Sequence, residues 1–251
     1  MLTQARDLRR RRAREEQGVF VTEGVRAVEE LIASSLLVRG VLASPKLGAT
    51  PRGAALRAAL EARGIEVTDV SDRDFASAAD TDAPQGVLAV AEIPVRMLPT
   101  PAAGQSFRAV VLDAVQDPGN VGTIVRTAAA LGADATIALP GTVDLWNVKV
   151  VRGAMGALFR HAAMHASLDD LTTWARAHDV SLWGADGRGI PLGQVLPAPE
   201  RLALVMGNEG AGLTAPVADG CARMIALPIA PGVASLNVAV ATGILLHALR
   251  A

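Results

Sequence analysis

The sequence predicts an α/β protein of two successive domains, the second built on an open parallel sheet with helices on both faces. Three observations carry this expectation. Strand-length apolar runs alternate with segments of helical periodicity through most of the 251 residues, the pattern of α/β architecture. The alternation lapses once, across Ile93–Gln105, where Pro94, Pro99, Pro101 and Gly104 stand in an aperiodic, linker-like stretch. Late in the chain, two glycine- or proline-rich loops follow strand-length runs, and such strand ends are where open α/β sheets bind ligands. The expected organisation is a small α/β domain over 1–92, a linker over 93–106 and a larger domain over 107–251.

The arginine-rich opening is expected to form a short surface helix before Glu16-Gln17-Gly18. Gly18–Thr22 reads as a strand, and Val25, Val28, Leu31 and Ile32 recur at helical spacing. Val38–Leu42 follows as a strand, Gly53–Arg63 as a helix burying Leu56 and Leu60, and Ile65–Val70 as a strand. Ser71 is placed to cap a helix over Asp72–Ala79, with Asp74 standing where a capping box has its acid. Val87–Ala91 is the last strand of the first domain. In the second, Phe107–Leu112 is apolar enough for an interior parallel strand. A loop Asp113–Asn120, a helix Val121–Leu131, a strand Thr136–Leu139 and a helix Lys149–Phe159 come next. Leu168–Ala177 reads as a helix capped by Ser167, Val180–Trp183 as a strand and Asp186–Gly189 as a polar turn. Leu202–Met206 and Met224–Leu227 are the final strands, and Ser235-Leu236-Asn237 opens an apolar helix of about 15 residues.

Apolar residues make up 51% of the chain and the net charge is −1, so no long tract has a disordered composition. The charge is unevenly spread. Within Met1–Arg14, Arg6, Arg9, Arg10, Arg11, Arg12 and Arg14 face only Asp7, a local excess of five positive charges. Such a cluster suits an anionic partner such as nucleic acid, and it equally suits a solubilising end. The single cysteine, Cys221, excludes an internal disulfide and a cysteine-based zinc site, and the four histidines lack metal-ligand spacing. No metal is expected. No apolar stretch follows the basic segment as in a signal peptide, and the closing helix falls short of a membrane span. The expected location is the cytoplasm.

Three constellations point to chemistry. In Asp117-Pro118-Gly119-Asn120-Val121-Gly122-Thr123-Ile124-Val125-Arg126, at a strand–helix junction, Asn120 is placed to cap the helix. Arg126 lies within two turns, on the same side as the loop. It is either a surface arginine or a contact to phosphate or carboxylate. In Gly207-Asn208-Glu209-Gly210-Ala211-Gly212, glycines allow close backbone approach to a ligand. The loop comes too late in the fold for a dinucleotide fingerprint and lacks the Lys-Ser/Thr of a P-loop. Glu209 either holds the loop through backbone N–H groups or orients a substrate or the cationic part of a cofactor. In the third, Ser235 reads first as an N-cap, whereas Asn237 has less structural reason for its place.

These residues carry a family resemblance. Asn120–Ala133, Leu202–Leu213 and Met224–Leu246 resemble, in order and spacing, the three motifs of the SpoU (TrmH-type) RNA ribose 2′-O-methyltransferases of the SPOUT superfamily. Phe20–Gly24 and Gln85-Gly86-Val87 resemble the L30e-like RNA-binding domain found in front of many members. One departure is visible: members often carry serine where Arg152-Gly153-Ala154-Met155-Gly156-Ala157 has Ala154.

The resemblance implies a parallel sheet with a deep C-terminal trefoil knot, a homodimer, and S-adenosylmethionine as cofactor. It places the cofactor against Met206, Gly207, Asn208, Gly210, Leu227, Leu236 and Asn237. It assigns catalysis to Arg126 with Asn120, Glu209, Ser235 and Asn237. The guanidinium either takes the proton of the ribose hydroxyl, aided by a substrate phosphate, or stabilises the developing alkoxide. Structured RNA is expected to touch Arg9, Arg10, Arg11, Arg12, Glu23 and Arg126. The two-domain layout implies 23S ribosomal RNA as target, with tRNA as the alternative. A non-catalytic RNA-binding protein that has kept the fold is disfavoured by the presence of the whole motif set. A tRNA guanine-N1 methyltransferase is disfavoured by the absence of that group's cofactor loop and C-terminal extension.

Overall fold

In the computed structural model, which describes residues 1–250, the chain divides into two units, with one border inside the expected linker and a later segment grouped with the first unit. The first comprises Met1–Val95 with Trp146–Arg160; the second comprises Arg96–Leu145 and the chain from His161 onward.

The first unit begins with two short helices, α1 (Leu2–Asp7) and α2 (Arg11–Gln17). Gly18, at φ 64°, ends α2 in the left-handed region and turns the chain into β1 (Val19–Glu23). Then come α3 (Val25–Ile32), β2 (Val38–Ala43), α4 (Pro51–Ala62), β3 (Val67–Asp69), α5 (Asp72–Ala78) and β4 (Val87–Glu92). Ser71 caps α5 as expected, accepting from Asp74 N–H. The sheet order is β1-β4-β2-β3, with β4 antiparallel to both neighbours and β3 parallel to β2. One core joins Val19, Val21, Leu42, Phe75, Leu88 and Val90 to Ala5 and Leu8 of the opening segment.

The second unit starts with β5 (Phe107–Leu112), α6 (Pro118–Ala130) and β6 (Ala135–Ala138). The chain then rejoins the first unit. In place of one helix over Lys149–Phe159 it forms α7 (Val148–Gly153) and a 3₁₀ turn at Ala157–Phe159. Met155 (φ 50°) and Gly156 (φ 86°) both take left-handed backbone, which no helix continues through. The rings of Trp146 and Phe159 lie 4.5 and 5.9 Å from that of Phe20 on β1.

The second unit resumes with β7 (Ala162–His165), α8 (Leu168–Ala177), β8 (Ser181–Pro191), β9 (Arg201–Met206), α9 (Ala215–Gly220), β10 (Arg223–Ala226) and α10 (Val238–Ala248). Ser167 caps α8 as expected. Six strands form a wholly parallel sheet ordered β10-β8-β9-β5-β6-β7. Its interior strand β5 is buried almost throughout, as its apolar run predicts. The expected turn at Asp186–Gly189 lies inside β8. There Met224 pairs with Gly184 and the next residue, Ile225, pairs with Ile190. Ala185–Gly189 therefore swings out of the ladder and returns. No helix is long and apolar enough to cross a membrane among the described residues.

Candidate active site

Three strand ends of the second unit supply the loops singled out in the sequence. β5 and β9 are neighbours, yet the chain runs from β5 to β6 on one side and returns to β9 on the other. Their C-terminal ends thus flank the topological switch point, the usual ligand position in an open sheet.

The loop after β9 is closed on itself, with Asn208 and Gly212 exchanging both backbone hydrogen bonds at 2.9 Å. The Asn208 side-chain oxygen accepts from the N–H groups of Gly210 and Ala211 at 3.0 Å. Its amide donates to the Ala114 carbonyl beyond β5, also at 3.0 Å. Asp113, buried at the end of β5, accepts from Thr214 N–H at 2.6 Å. The end of β5 therefore anchors both sides of the loop. At Gly207 only hydrogen fits, because a Cβ would stand 2.4 Å from the Gly212 carbonyl carbon.

Asn120 does not cap the next helix. Asp117 is the N-cap of α6, its side chain accepting from Asn120 N–H at 2.7 Å. Pro118 is the reason: its fixed φ and missing N–H suit the first helical position, so the helix starts earlier. Asn120 becomes the third helical residue, with its side chain free for other partners. The Asn120 amide donates to Glu209 Oε1 at 2.8 Å, and its oxygen accepts from Asn237 Nδ2 at 2.9 Å. One residue from each of the three constellations meets at this point. Arg126 follows on the exposed side of α6, and no hydrogen bond or ion pair among the described residues engages its guanidinium.

The closing helix needs the reverse correction. Asn237, not Ser235, is the N-cap of α10, accepting from the N–H groups of Ala239 and Val240 at 2.9 and 3.3 Å. Ser235 lies exposed in the preceding segment. From Pro228 to Leu236 a single internal backbone bond forms, Val233 N–H to the Ala230 carbonyl. Main-chain donors and acceptors of this segment are therefore left for a ligand or solvent.

The loops enclose a cavity of about 410 Å³, in the size range of small-molecule sites. Met206, Gly207, Asn208, Glu209 and Gly210 line one part of it, and Leu227, Ser235 and Leu236 line another. Asn120, Asn237 and Arg126 stand outside the lining; the first two reach it through Glu209 and the chain neighbours of Asn237. Two further lining residues, Asp186 and Arg188, were passed over in the sequence as a polar turn. The available signal was an acid and a base placed between glycines in Gly184–Gly189. Asp186 Oδ1 accepts from Arg188 N–H at 2.8 Å and Nε at 3.3 Å. These bonds hold its carboxyl below the usual range.

The residues expected to meet RNA divide into two groups. Arg10 pairs with Asp7, Arg11 with Glu15 and Arg12 with Glu16, while Arg9 donates to the Ala79 carbonyl at 2.6 Å. Glu15 and Glu16 lie just past the span that showed the basic excess, and they reduce it. The side chains of Arg10, Arg11 and Arg12 nonetheless remain over half exposed. Glu23 is a correction: it is nine-tenths buried, and its carboxylate accepts from Asp80 N–H at 2.8 Å and from the Thr81 hydroxyl. In that position it fastens the loop at Asp80 and Thr81. Ala154 is fully buried within the first unit, so the missing serine hydroxyl would lie in the interior there.

A family model described as the SpoU rRNA Methylase family matches residues 108–247, and one described as an MRM3-like substrate binding domain matches residues 2–89. The chain is similar to the 23S rRNA (guanosine(2553)-2′-O)-methyltransferase RlmP of Bacillus subtilis, with 34% identity over 244 residues, 97% of this chain and 93% of that protein. Among solved structures it is similar to an AdoMet-bound rRNA methyltransferase from Sinorhizobium meliloti. There the TM-score is 0.85 at 30% identity, covering 99% of this chain and 93% of that one. It is also similar to the SpoU methyltransferase AviRb from Streptomyces viridochromogenes in complex with AdoMet. The TM-score is 0.89 at 26% identity, over 99% and 96% of the two chains.

Proposed function

The chain belongs to the SpoU rRNA methylase family, and from that premise we propose that it methylates a ribose 2′-hydroxyl of structured RNA, with 23S ribosomal RNA as substrate and S-adenosylmethionine as cofactor. The observation that carries the reading is the junction at Asn120, where Glu209 and Asn237 are held beside the cavity by side-chain hydrogen bonds. A protein that kept only the fold would have no use for this arrangement.

The residues present fit the cofactor. Gly207 lets the 207–212 loop close on itself at the cavity wall, and apolar Ile225, Leu227 and Leu245 offer a surface for an adenine ring. The unpaired main chain of the 228–236 segment suits the edge of that ring. S-adenosylmethionine, when bound, supplies a methyl group on a cationic sulfur and needs no metal.

The remaining chemistry falls to the chain. A ribose hydroxyl is a weak nucleophile and must shed its proton as the bond forms. The Arg126 guanidinium is a donor-only group and offers no acceptor for that proton. Its role is to hold a substrate phosphate and stabilise the developing alkoxide while the hydroxyl proton passes to water. Asn120 orders the loop beside it. The exposed apolar side chains of Val240 and Ile244 on α10, a helix packed against α6, support a homodimer. The return of the chain from edge strand β10 to a helix packed on α6 and β9 supports the trefoil knot. The first unit serves as the RNA substrate-binding domain. Exposed pairs such as Arg12–Glu16 are worth under about 1 kcal/mol, so they exchange readily for phosphate contacts. Ribosomal RNA as substrate supports a cytoplasmic location.

The test uses ribosomal RNA from a strain lacking the gene, incubated with the protein and labelled S-adenosylmethionine, with 2′-O-methyls mapped afterwards. One methylated ribose in 23S RNA is expected. Arg126→Ala should lose nearly all transfer while binding the cofactor within a few-fold of normal. Transfer confined to tRNA would refute the ribosomal assignment, and turnover retained in Arg126→Ala would refute the catalytic one.

A further inference from the structure

The excursion Ala185–Gly189 is unusual for a sheet strand. β8 leaves its ladder with β10 after Gly184 and re-enters at Ile190, and Ala185, Asp186, Gly187 and Arg188 all line the cavity on the way. Its return is fixed sterically, because a Cβ on Gly189 would stand 2.7 Å from the backbone nitrogen of Ile225. The turn is fixed by Asp186, which accepts from Arg188 N–H at 2.8 Å. The tip is open, with nothing within 4 Å of a Cβ built on Gly187.

Charge makes this excursion distinctive. Among the described residues, the charged side chains lining the cavity are Asp186, Arg188 and Glu209. Glu209 is already engaged by the Asn120 amide at 2.8 Å. Asp186 and Arg188 form an acid–base pair in the lining that stands apart from the Asn120 junction, with Asp186 Oδ2 and the terminal nitrogens of Arg188 left for a ligand. The Arg188 side chain is 93% exposed and contacts Asp186 only through Nε at 3.3 Å, leaving its two terminal nitrogens free among the described residues. The rest of the lining is apolar side chain and main chain with the neutral polar side chains of Asn208 and Ser235, which suits an adenosyl group. A ligand combining adenosine with a zwitterionic amino-acid end would find complements for both parts, and the complement of the second part is this pair.

We propose that the Ala185–Gly189 excursion recognises the amino-acid end of the cofactor, Arg188 through its α-carboxylate and Asp186 through its α-ammonium. The assignment rests on the S-adenosylmethionine reading above. A guanidinium fork matches a carboxylate with two parallel hydrogen bonds. The Asp186 carboxylate, kept ionised by the bonds from Arg188, supplies the opposite charge.

Calorimetric titration of the full chain with three probes tests this: S-adenosylmethionine, S-adenosylhomocysteine and 5′-methylthioadenosine. The first two carry the amino-acid end and the third does not. Arg188→Ala should weaken the first two about tenfold to a hundredfold, the range for a hydrogen bond to a charged group, and leave the third unchanged. Asp186→Asn keeps a side-chain oxygen for the turn and should show the same split. Equal weakening toward all three probes would mean that the excursion shapes the adenosine pocket, and the proposal fails. Unchanged binding of all three would free Arg188 for another partner such as RNA, and the proposal again fails. If the parent binds none of the probes, the cofactor reading itself falls, and this assignment falls with it.

Discussion

Asn120 shows how far a residue can depart from the role its neighbours suggest. It was legible as important because it stands in a strand–helix loop rich in proline and glycine. Its expected task, capping the helix, went to Asp117 because Pro118 opens α6 one residue later. The freed side chain ties Glu209 to Asn237, a link between positions 89 and 117 residues distant in sequence that spacing cannot reveal. Asn120→Ala removes both bonds and should lower kcat/KM roughly tenfold to a hundredfold, the range for a hydrogen bond to a charged partner. Cofactor affinity should stay within a few-fold, because Asn208 and Asp113 hold the 207–212 loop independently. Titration and kinetics on the same preparation separate the two effects, and a collapse of cofactor binding would count against this division of labour. Gly207→Ala should do the opposite. Its methyl group meets the Gly212 backbone, so the loop must open, and cofactor binding should be lost together with a lower melting temperature.

Elements were legible where burial dictates pattern and illegible where length or backbone geometry decides. β5, β9 and α8 carry apolar runs or periodicity long enough to be read, and Ser71 and Ser167 cap as their positions imply. β7, four residues long, and α9, six residues long, are too brief for any period to register. The break after α7 depends on left-handed backbone at Met155, a residue that gives no warning of it. The start of α10 was misread by two positions because serine and asparagine are both good caps. The structure distinguishes them, and so does a stability measurement. Asn237→Ala removes the cap and should cost about 1 kcal/mol, with a further loss from the unpaired Asn120 oxygen. Ser235→Ala, exposed and outside the helix, should leave denaturant unfolding unchanged. Equal costs for the two substitutions would contradict the assigned cap.

At the scale of the molecule, a proline-rich linker implies two domains that separate cleanly, so that the chain beyond the linker should fold alone and bind its cofactor. The structure argues otherwise through Trp146–Arg160, which lies within the second domain by sequence and within the first unit by packing. Trp146, Leu158 and Phe159 are nearly or fully buried there, and Phe20 on β1 contacts both aromatic rings. Sequence order conceals this because the segment's apolar residues are as compatible with one core as with the other. Excising 1–92 should therefore leave an apolar surface uncovered on the remaining chain. The expected result is a fragment that self-associates and melts below the intact protein, even though every cavity residue is still present. Phe20→Ala in the full chain isolates the contact from the deletion. It should cost about 3–5 kcal/mol, as aromatic truncations in a packed core do, and should perturb the environment of Trp146 seen by near-ultraviolet circular dichroism. A fragment that stays monomeric at the parental melting temperature would show that the 146–160 segment carries its own stability and that the linker does mark a true domain border.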